Sequence, residues 1–477
     1  MLTMDIKRKP EIFYNDSLIP ELTKEQPGDE PDDVIFNSNY GVRTIELNRP
    51  KKLNSLNGSM ARKIIPRLRE WEKSQLANVV IIKGEGRAFC AGGDVAALAK
   101  QNKTPEGQED SKKYFALEYK LDHMIATYQK PYVAFIDGIT MGGGVGLSVH
   151  APFRIATENT VFAMPETTIG FFPDVGASFF LPKMDGQMGM YLALTSEQLK
   201  GVDVFYHGIA THYIHSTTLP NLQARLAELQ FPDYATLEQR YAIIASTIEE
   251  FTSTLPSARP AITGTIRNAI DDAFQHDDIN KIIQSLDQYS ASKDETVAEW
   301  ARKTKGTIEI RSPTSVLVTL RMLRASQRWS ISEAFQREYN IAQAFMEHSD
   351  FVEGIEAKLI RRSKERPQWK PNTLQEATSD ENIQQIEQFF PKMPENMPLL
   401  RRGEGIDYRT YPYGHLALPT EEQIVNSFGN PQVEANRDRV VEYWLFQVDG
   451  RVGVREKVEE VLERKWDAWK ESRSSRK

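Results

Sequence analysis

Cysteine is nearly missing from this sequence: Cys90 is the only one in 477 residues. No intramolecular disulfide framework can form, and a reducing interior is the natural compartment. No run of roughly 18 or more apolar residues occurs, so no membrane-spanning helix is expected. An excess of positive charge is also lacking: 59 Lys and Arg stand against 66 Asp and Glu, a formal net charge of −7. That balance argues against broad attraction to nucleic acid or an anionic membrane surface. Several catalytic signatures are absent as well. There is no G-x-x-x-x-G-K-[ST], and the run GGGVG lacks the third glycine of a dinucleotide fingerprint, so nucleotide hydrolysis and hydride transfer recede. The eight histidines show no H-E-x-x-H and no pairing with cysteine at metal spacing, so a zinc site is not expected. Around Ser148 the chain reads Gly146-Leu147-Ser148-Val149-His150, without the second glycine of a serine-hydrolase elbow. Ser148 and His150, two apart on an expected helix, point to different sides and cannot form a nucleophile–base pair.

What is present is a globular composition, 40% hydrophobic, in a chain long enough for two or three domains. An acidic leader containing Pro27, Gly28 and Pro31 runs to residue 33 and reads as largely extended. Its acids set it apart from a mitochondrial presequence, so a presequence is expected to be absent or already removed. VIFNSNYGVRTIELN reads as a hairpin turning over Asn37 to Gly41, and MARKIIPRLREWEKS as a helix with Ile64, Ile65, Leu68 and Trp71 on one face. NVVIIKGEG and PYVAFIDG are short apolar runs ended by glycine, the mark of strands covered on both faces. Between them lies the helix DSKKYFALEYKLDHMIATYQ. A rhythm of strand, strand, helix fills the front of the chain, and residues 186 to 365 are mostly helical. The expectation is one α/β core over 34–200, a helical region over 201–375, and a linker with an amphipathic extension over 376–477. In the extension Val454, Val458, Val461, Leu462, Trp466 and Trp469 share one helix face.

Two glycine turns carry chemistry. GRAFCAGGDV and DGITMGGGVGLSVH each end a buried strand and turn it toward a helix. Glycine lets a backbone N–H approach a ligand closely, and a helix start adds positive potential, so two such turns side by side can aim two donors at one oxyanion. Cys90, beside the first turn, reads as a small buried filler, and His123 as a partly buried or surface residue. AMPETTIGFFPDVG places Glu166 and Asp174 in an otherwise apolar, glycine- and proline-rich stretch. Burying a carboxylate without a partner is costly, so this pair, with Glu118 on the long helix, is the remaining candidate for chemistry.

NRPKKLNSLN, GRAFCAGGD, ITMGGGVGLSVH, FAMPETTIGFFPDVG and ALTSEQLKGVDVFYHGIATHYI, in this order, resemble the enoyl-CoA hydratase/isomerase (crotonase) superfamily. Within it they are most similar to the 3-hydroxyisobutyryl-CoA hydrolases, over about residues 34 to 375. The resemblance implies an α/β spiral of β-β-α repeats with a helical C-terminal region, a mitochondrial matrix location, and cleavage of an acyl-CoA thioester in valine catabolism. No cofactor is implied beyond the CoA of the substrate, and no membrane or direct nucleic-acid partner. It implies that the N–H groups of Gly93 and Gly143 form an oxyanion hole and that Glu166 and Asp174 are the catalytic acidic pair. Glu118, Lys51, Lys52, Leu53, Ala91 and Asp94 are implied as substrate contacts. Hydratases of the superfamily carry a second glutamate three residues after the oxyanion glycine; here that position is Gly146. Loss of one proton-transfer group disfavours alkene hydration, by about 10²–10⁴-fold. Glu166 would attack the thioester carbonyl or deprotonate water; Asp174 would orient a 3-hydroxyl group or assist thiolate departure.

Residues 391–477 exceed the usual length of such hydrolases and resemble fungal relatives, a group that includes a protein of the mitochondrial small ribosomal subunit. The segment holds 15 basic and 15 acidic residues. Wrapping RNA by charge is therefore not expected, and a docking role on that subunit, the alternative reading, would be protein-mediated.

Overall fold

The computed structural model describes residue 12 and residues 14–252, 255–256, 260–392, 395–400 and 407–474. Parts of the expected leader (1–11 and 13) and linker (393–394 and 401–406) lie outside the described residues. The first elements are strands β1 (Val34–Asn39) and β2 (Val42–Leu47), paired antiparallel, then helix α1 (Gly58–Lys73). The hairpin turn is tighter than expected, because Asn37 and Ser38 pair with Thr44 and Arg43 and leave Tyr40 and Gly41 to turn the chain. Next come β3 (Val79–Gly84), β4 (Ala88–Cys90), α2 (Val95–Gln101), α3 (Pro105–Ala126), β5 (Tyr132–Phe135), β6 (Ile139–Met141) and α4 (Gly143–Val149). β7 (Phe153–Ala156), β8 (Val161–Ala163), β9 (Leu199–Lys200) and β10 (His212–Tyr213) complete the strands.

After the opening hairpin β1-β2, whose strands share one sheet, the pairs β3-β4, β5-β6 and β7-β8 each deal their two strands to different sheets. A six-stranded sheet runs β1-β2-β3-β5-β7-β10 and a four-stranded sheet β4-β6-β8-β9. Pairing is parallel from β2 through β10 and from β4 through β8, as a spiral requires. The unbroken apolar run of β3 now has its cause. Val80 and Ile82 face the main core with α1, while Val79 and Ile81 face a second layer formed by helices Leu219–Ala227 and Leu237–Glu249. Alternation is lost because both faces are dry.

The leader is less extended than its composition suggested. It carries a short helix at Ile19–Leu22, and its acids pair with bases of the early core: Asp16 with Arg69, Asp29 with Arg62, Asp33 with Lys63 at 2.6 Å, and Glu30 with Arg49 at 2.8 Å. Polar sequence ordered by specific ion pairs leaves no apolar periodicity to read.

After the helical region, which includes α5 (Ile331–Glu347), the extension forms α6 (Glu421–Ser427), α7 (Arg437–Gln447) and α8 (Val454–Ser474). The apolar face of α8 is spent within the chain: Val454, Val458 and Val461 are fully buried and Trp466 stands edge-on to Phe428 at 5.0 Å. Charges lock the seam. Lys457 pairs with Asp185 of the core at 2.6 Å, and Arg451 donates to the carbonyl of Thr211 at 2.6 Å. Arg464 bridges Glu421 at 2.8 Å and Glu460 at 2.6 Å. Burial alone would raise the Glu421 carboxyl, but the bonds and charge of Arg464 bring it down to about 2.

Arg464→Met removes the shortest contacts of Glu421 and Glu460 while Lys465, at 3.1 Å, and Arg267 stay beside Glu421, and is expected to destabilise the fold by about 1–3 kcal/mol, read as a lower melting temperature. Because the Glu421 pKa is depressed, its contribution is present above the free-carboxyl value of 4.5 and is lost as pH falls toward about 2. The wild-type advantage over the variant should therefore shrink in that window.

Candidate active site

The spiral brings the two glycine turns into contact. β4 and β6 are adjacent parallel strands, so the bends that follow them, at Gly92-Gly93 and Gly142-Gly143, sit side by side. In each bend the first glycine takes a left-handed conformation, φ +105° at Gly92 and +44° at Gly142, which aims the next amide away from its strand. A Cβ added to Gly143 would lie 3.3 Å from the nitrogen of Gly93. Among the described residues, neither the Gly93 nor the Gly143 N–H donates to a protein acceptor. Two unused donors thus share one small space, as an oxyanion site requires.

Carboxyl groups surround that space. Glu118 projects from α3 onto the Cα of Gly143. Glu166 opens a short helical turn after β8, and its Oε1 would be 3.0 Å from a Cβ on Gly142, while its Oε2 has no hydrogen-bond partner. Asp174 follows on the same loop and accepts a 2.7 Å bond from the hydroxyl of Tyr119. Glu118, Glu166 and Asp174 are 2%, 5% and 4% exposed, so all three are dry. Burial, and after it the charge of Asp174, pushes Glu118 and Glu166 well above the ordinary carboxyl range. Burial raises Asp174 to about 7 against the lowering bond from Tyr119. The dryness comes from aromatic packing, with Phe115 stacked on Phe171 at 5.1 Å and Phe172 on Phe345 at 5.4 Å.

Lys51, Lys52 and Leu53 form a tight turn whose end is tied to the first glycine bend, since Ala91 donates to the Leu53 carbonyl at 3.0 Å. Lys51 and Lys52 are exposed. Asp94 sits beside Gly93 but is engaged elsewhere: it pairs with Arg49 at 3.0 Å and Lys52 at 3.1 Å, which fastens the turn to the bend. Cys90 is fully buried and its thiol is pushed up to about 12 by burial, as a filler would be. His123 is not at the surface: it is wholly buried and shares a 3.0 Å hydrogen bond with Ser332, because α5 covers that face of α3.

Other groups carry the site and were not singled out from the sequence. Tyr114 and Tyr119 lie on α3 among residues that read as core; Tyr114 bonds the Leu56 carbonyl at 3.0 Å, and Tyr119 holds Asp174. Glu338, on α5, accepts from the amides of Gly176 and Ser178 at 2.7 and 2.8 Å and fixes the chain just after Asp174. No local signal marks it, since its partners are about 160 positions away. Among the described residues no group of His, Cys, Asp and Glu is arranged to hold a metal ion.

Comparison with known proteins places this geometry. The sequence model of the enoyl-CoA hydratase/isomerase family matches residues 42–390. Small ribosomal subunit protein mS47 of Neurospora crassa is 53% identical over 449 residues, 93% of this chain and 87% of that protein. The mitochondrial 3-hydroxyisobutyryl-CoA hydrolase of Danio rerio is 44% identical over 343 residues, 72% of this chain and 86% of that protein. Among solved structures, a carnitinyl-CoA dehydratase from Mycobacterium thermoresistibile superposes with a TM-score of 0.66 at 31% identity, covering 78% of this chain and 100% of its own. The chain belongs to the enoyl-CoA hydratase/isomerase family and has its α/β crotonase-like fold.

Proposed function

We propose that the chain hydrolyses the thioester of 3-hydroxyisobutyryl-CoA to 3-hydroxyisobutyrate and CoA in the mitochondrial matrix, a step of valine breakdown. The observation that carries this reading is the pair of unused glycine amides with a dry carboxyl, Glu166, beside them; relatives with that printed activity lend it support. The thioester oxygen would sit between the N–H groups of Gly93 and Gly143. A donor of this kind contributes roughly 2.7–4 kcal/mol to the transition state. Glu166 then delivers oxygen to the carbonyl carbon by one of two routes. Its carboxylate attacks, the C–S bond breaks, and water cleaves the resulting anhydride; or it takes a proton from water that attacks directly. Asp174, held near 7, supplies a proton to the departing thiolate, and Tyr119 fixes its direction. The charge of Asp174 raises Glu166, so the two carboxyls interact, and Glu166 would act as base or nucleophile in the form of the site whose proton rests on Asp174. Helix α4 offers no carboxylate of its own for water addition, since position 146 is glycine.

A second reading rests on a separate observation: the likeness to small ribosomal subunit protein mS47 spans 93% of the chain, whereas the hydrolase match covers 72%. In this reading the chain docks on the mitochondrial small ribosomal subunit and uses α6 to α8 as part of a folded surface.

Glu166→Gln should lower CoA release from 3-hydroxyisobutyryl-CoA, followed with a thiol reagent, by about 10²-fold or more. Undiminished turnover would remove Glu166 from the reaction, and a comparable rate of water addition to crotonyl-CoA would replace the hydrolase reading. The acids of the site have raised pKa values, so the stability they give is whole below the free-carboxyl range and is lost as pH rises through the folded value, about 7 for Asp174. Glu166→Gln should therefore melt above wild type at pH near 8, with the difference closing near pH 4. For the second reading, full-length protein in a mitochondrial extract should co-sediment with the small ribosomal subunit; migration only as free protein would exclude it.

A further inference from the structure

Asp122 stands one helical turn after Glu118 on α3 and has no part in the mechanism above. It is 0% exposed, and neither carboxyl oxygen has a hydrogen-bond partner among the described residues. Its carboxyl is seated on α4, where a Cβ on Gly146 would meet Oδ2 at 2.5 Å and Oδ1 at 2.8 Å. Gly146 lies one turn beyond Gly143, the residue that Glu118 covers. The two helices therefore match acid to glycine twice over, Glu118 on Gly143 and Asp122 on Gly146. Asp122 lies about 6 Å along α3 from Glu118, and Gly146 about 4.5 Å along α4 from Gly143, separations that a short hydroxyacyl chain held at the oxyanion donors would span.

Among the described residues no group hydrogen-bonds this carboxyl. Burial comes first in pushing it well above the ordinary range, and the charged groups facing it add to the effect: Glu118 from its own helix, Asp174 from the loop after β8, and Glu338 from α5. A buried carboxyl kept neutral and unbonded is a costly group that a ligand hydroxyl would satisfy, as donor and as acceptor.

We propose that Asp122 is a specificity-determining residue, the inner end of the acyl pocket, which hydrogen-bonds a hydroxyl carried by the acyl chain and so selects hydroxyacyl over plain acyl thioesters. This assignment rests on the reading of the glycine pair as a thioester site, and it leaves Asp174 free to act on the thiolate.

The test compares Asp122→Asn, which keeps shape and hydrogen bonding, with Asp122→Leu, which keeps size alone. Binding of the non-hydrolysable thioether analogues of 3-hydroxyisobutyryl-CoA and isobutyryl-CoA is measured by calorimetry, beside CoA release from the two thioesters. Wild type should bind the hydroxylated analogue at least about tenfold more tightly, the scale of one buried hydrogen bond. Asp122→Asn should keep that ratio within about threefold, and Asp122→Leu should abolish it while still binding the isobutyryl analogue; a change in packing alone would weaken both analogues together. An unchanged ratio in Asp122→Leu overturns the assignment. A wild type that discriminates in binding but releases no CoA supports the assignment and overturns the hydrolase reading, and one that binds neither analogue overturns both.

Discussion

The site depends on one contact, that of helix α3 with the glycine face of α4. Because Gly143 and Gly146 carry no side chain, the carboxyls of Glu118 and Asp122 press directly against the helix whose first amide is an unused donor. Any side chain at Gly146 would collide with Asp122. That contact sets where α4 begins, where Gly143 points, and how near the Gly93 bend can come. The price is a set of buried acids in which, after burial itself, the charge of Asp174 raises the proton affinity of Glu118, Asp122 and Glu166. Such an arrangement opposes stability near neutral pH, as is expected where titratable groups are kept for a reaction.

Stability is supplied at a distance from this cluster. The inner strands β3, β5 and β7 of the six-stranded sheet are dry on both faces, and the C-terminal extension closes over the core through Lys457, Arg451 and Arg464, each with a designated partner. Tyr408 and Tyr411 add bonds from the linker to the carbonyls of Ala126 and Val149, the ends of α3 and α4. The extension therefore buttresses the far ends of the two helices that frame the site. Retention of the dry acids and free amides together with a docked extension explains how one chain can resemble both an acyl-CoA hydrolase and a ribosomal protein: the surface added after residue 391 does not consume the site.

Much of this was open to reading in the amino-acid order. Unbroken apolar runs at Val79–Ile82 and Tyr132–Phe135 mark strands covered on both sides, and the paired glycine turns mark where amides are laid bare, because both signals lie within a few residues and follow from local backbone chemistry. The one-sided pattern of α8 likewise announced a buried face. The leader was misjudged because its order comes from ion pairs with α1, and His123 because its cover, Ser332, is supplied from more than two hundred residues away.

By itself the sequence determined the strand–turn–helix rhythm, the two glycine bends and the presence of carboxyls too costly to bury without purpose, since each depends on residue type and near neighbours. Only the tertiary structure decided that the bends converge, that Tyr119 and Glu338 hold the Asp174 loop, and that Asp122 lies unpaired against Gly146. Those relations join residues distant along the chain, and the spacing of side chains across a packed interface is fixed by how the helices meet, which no single segment encodes.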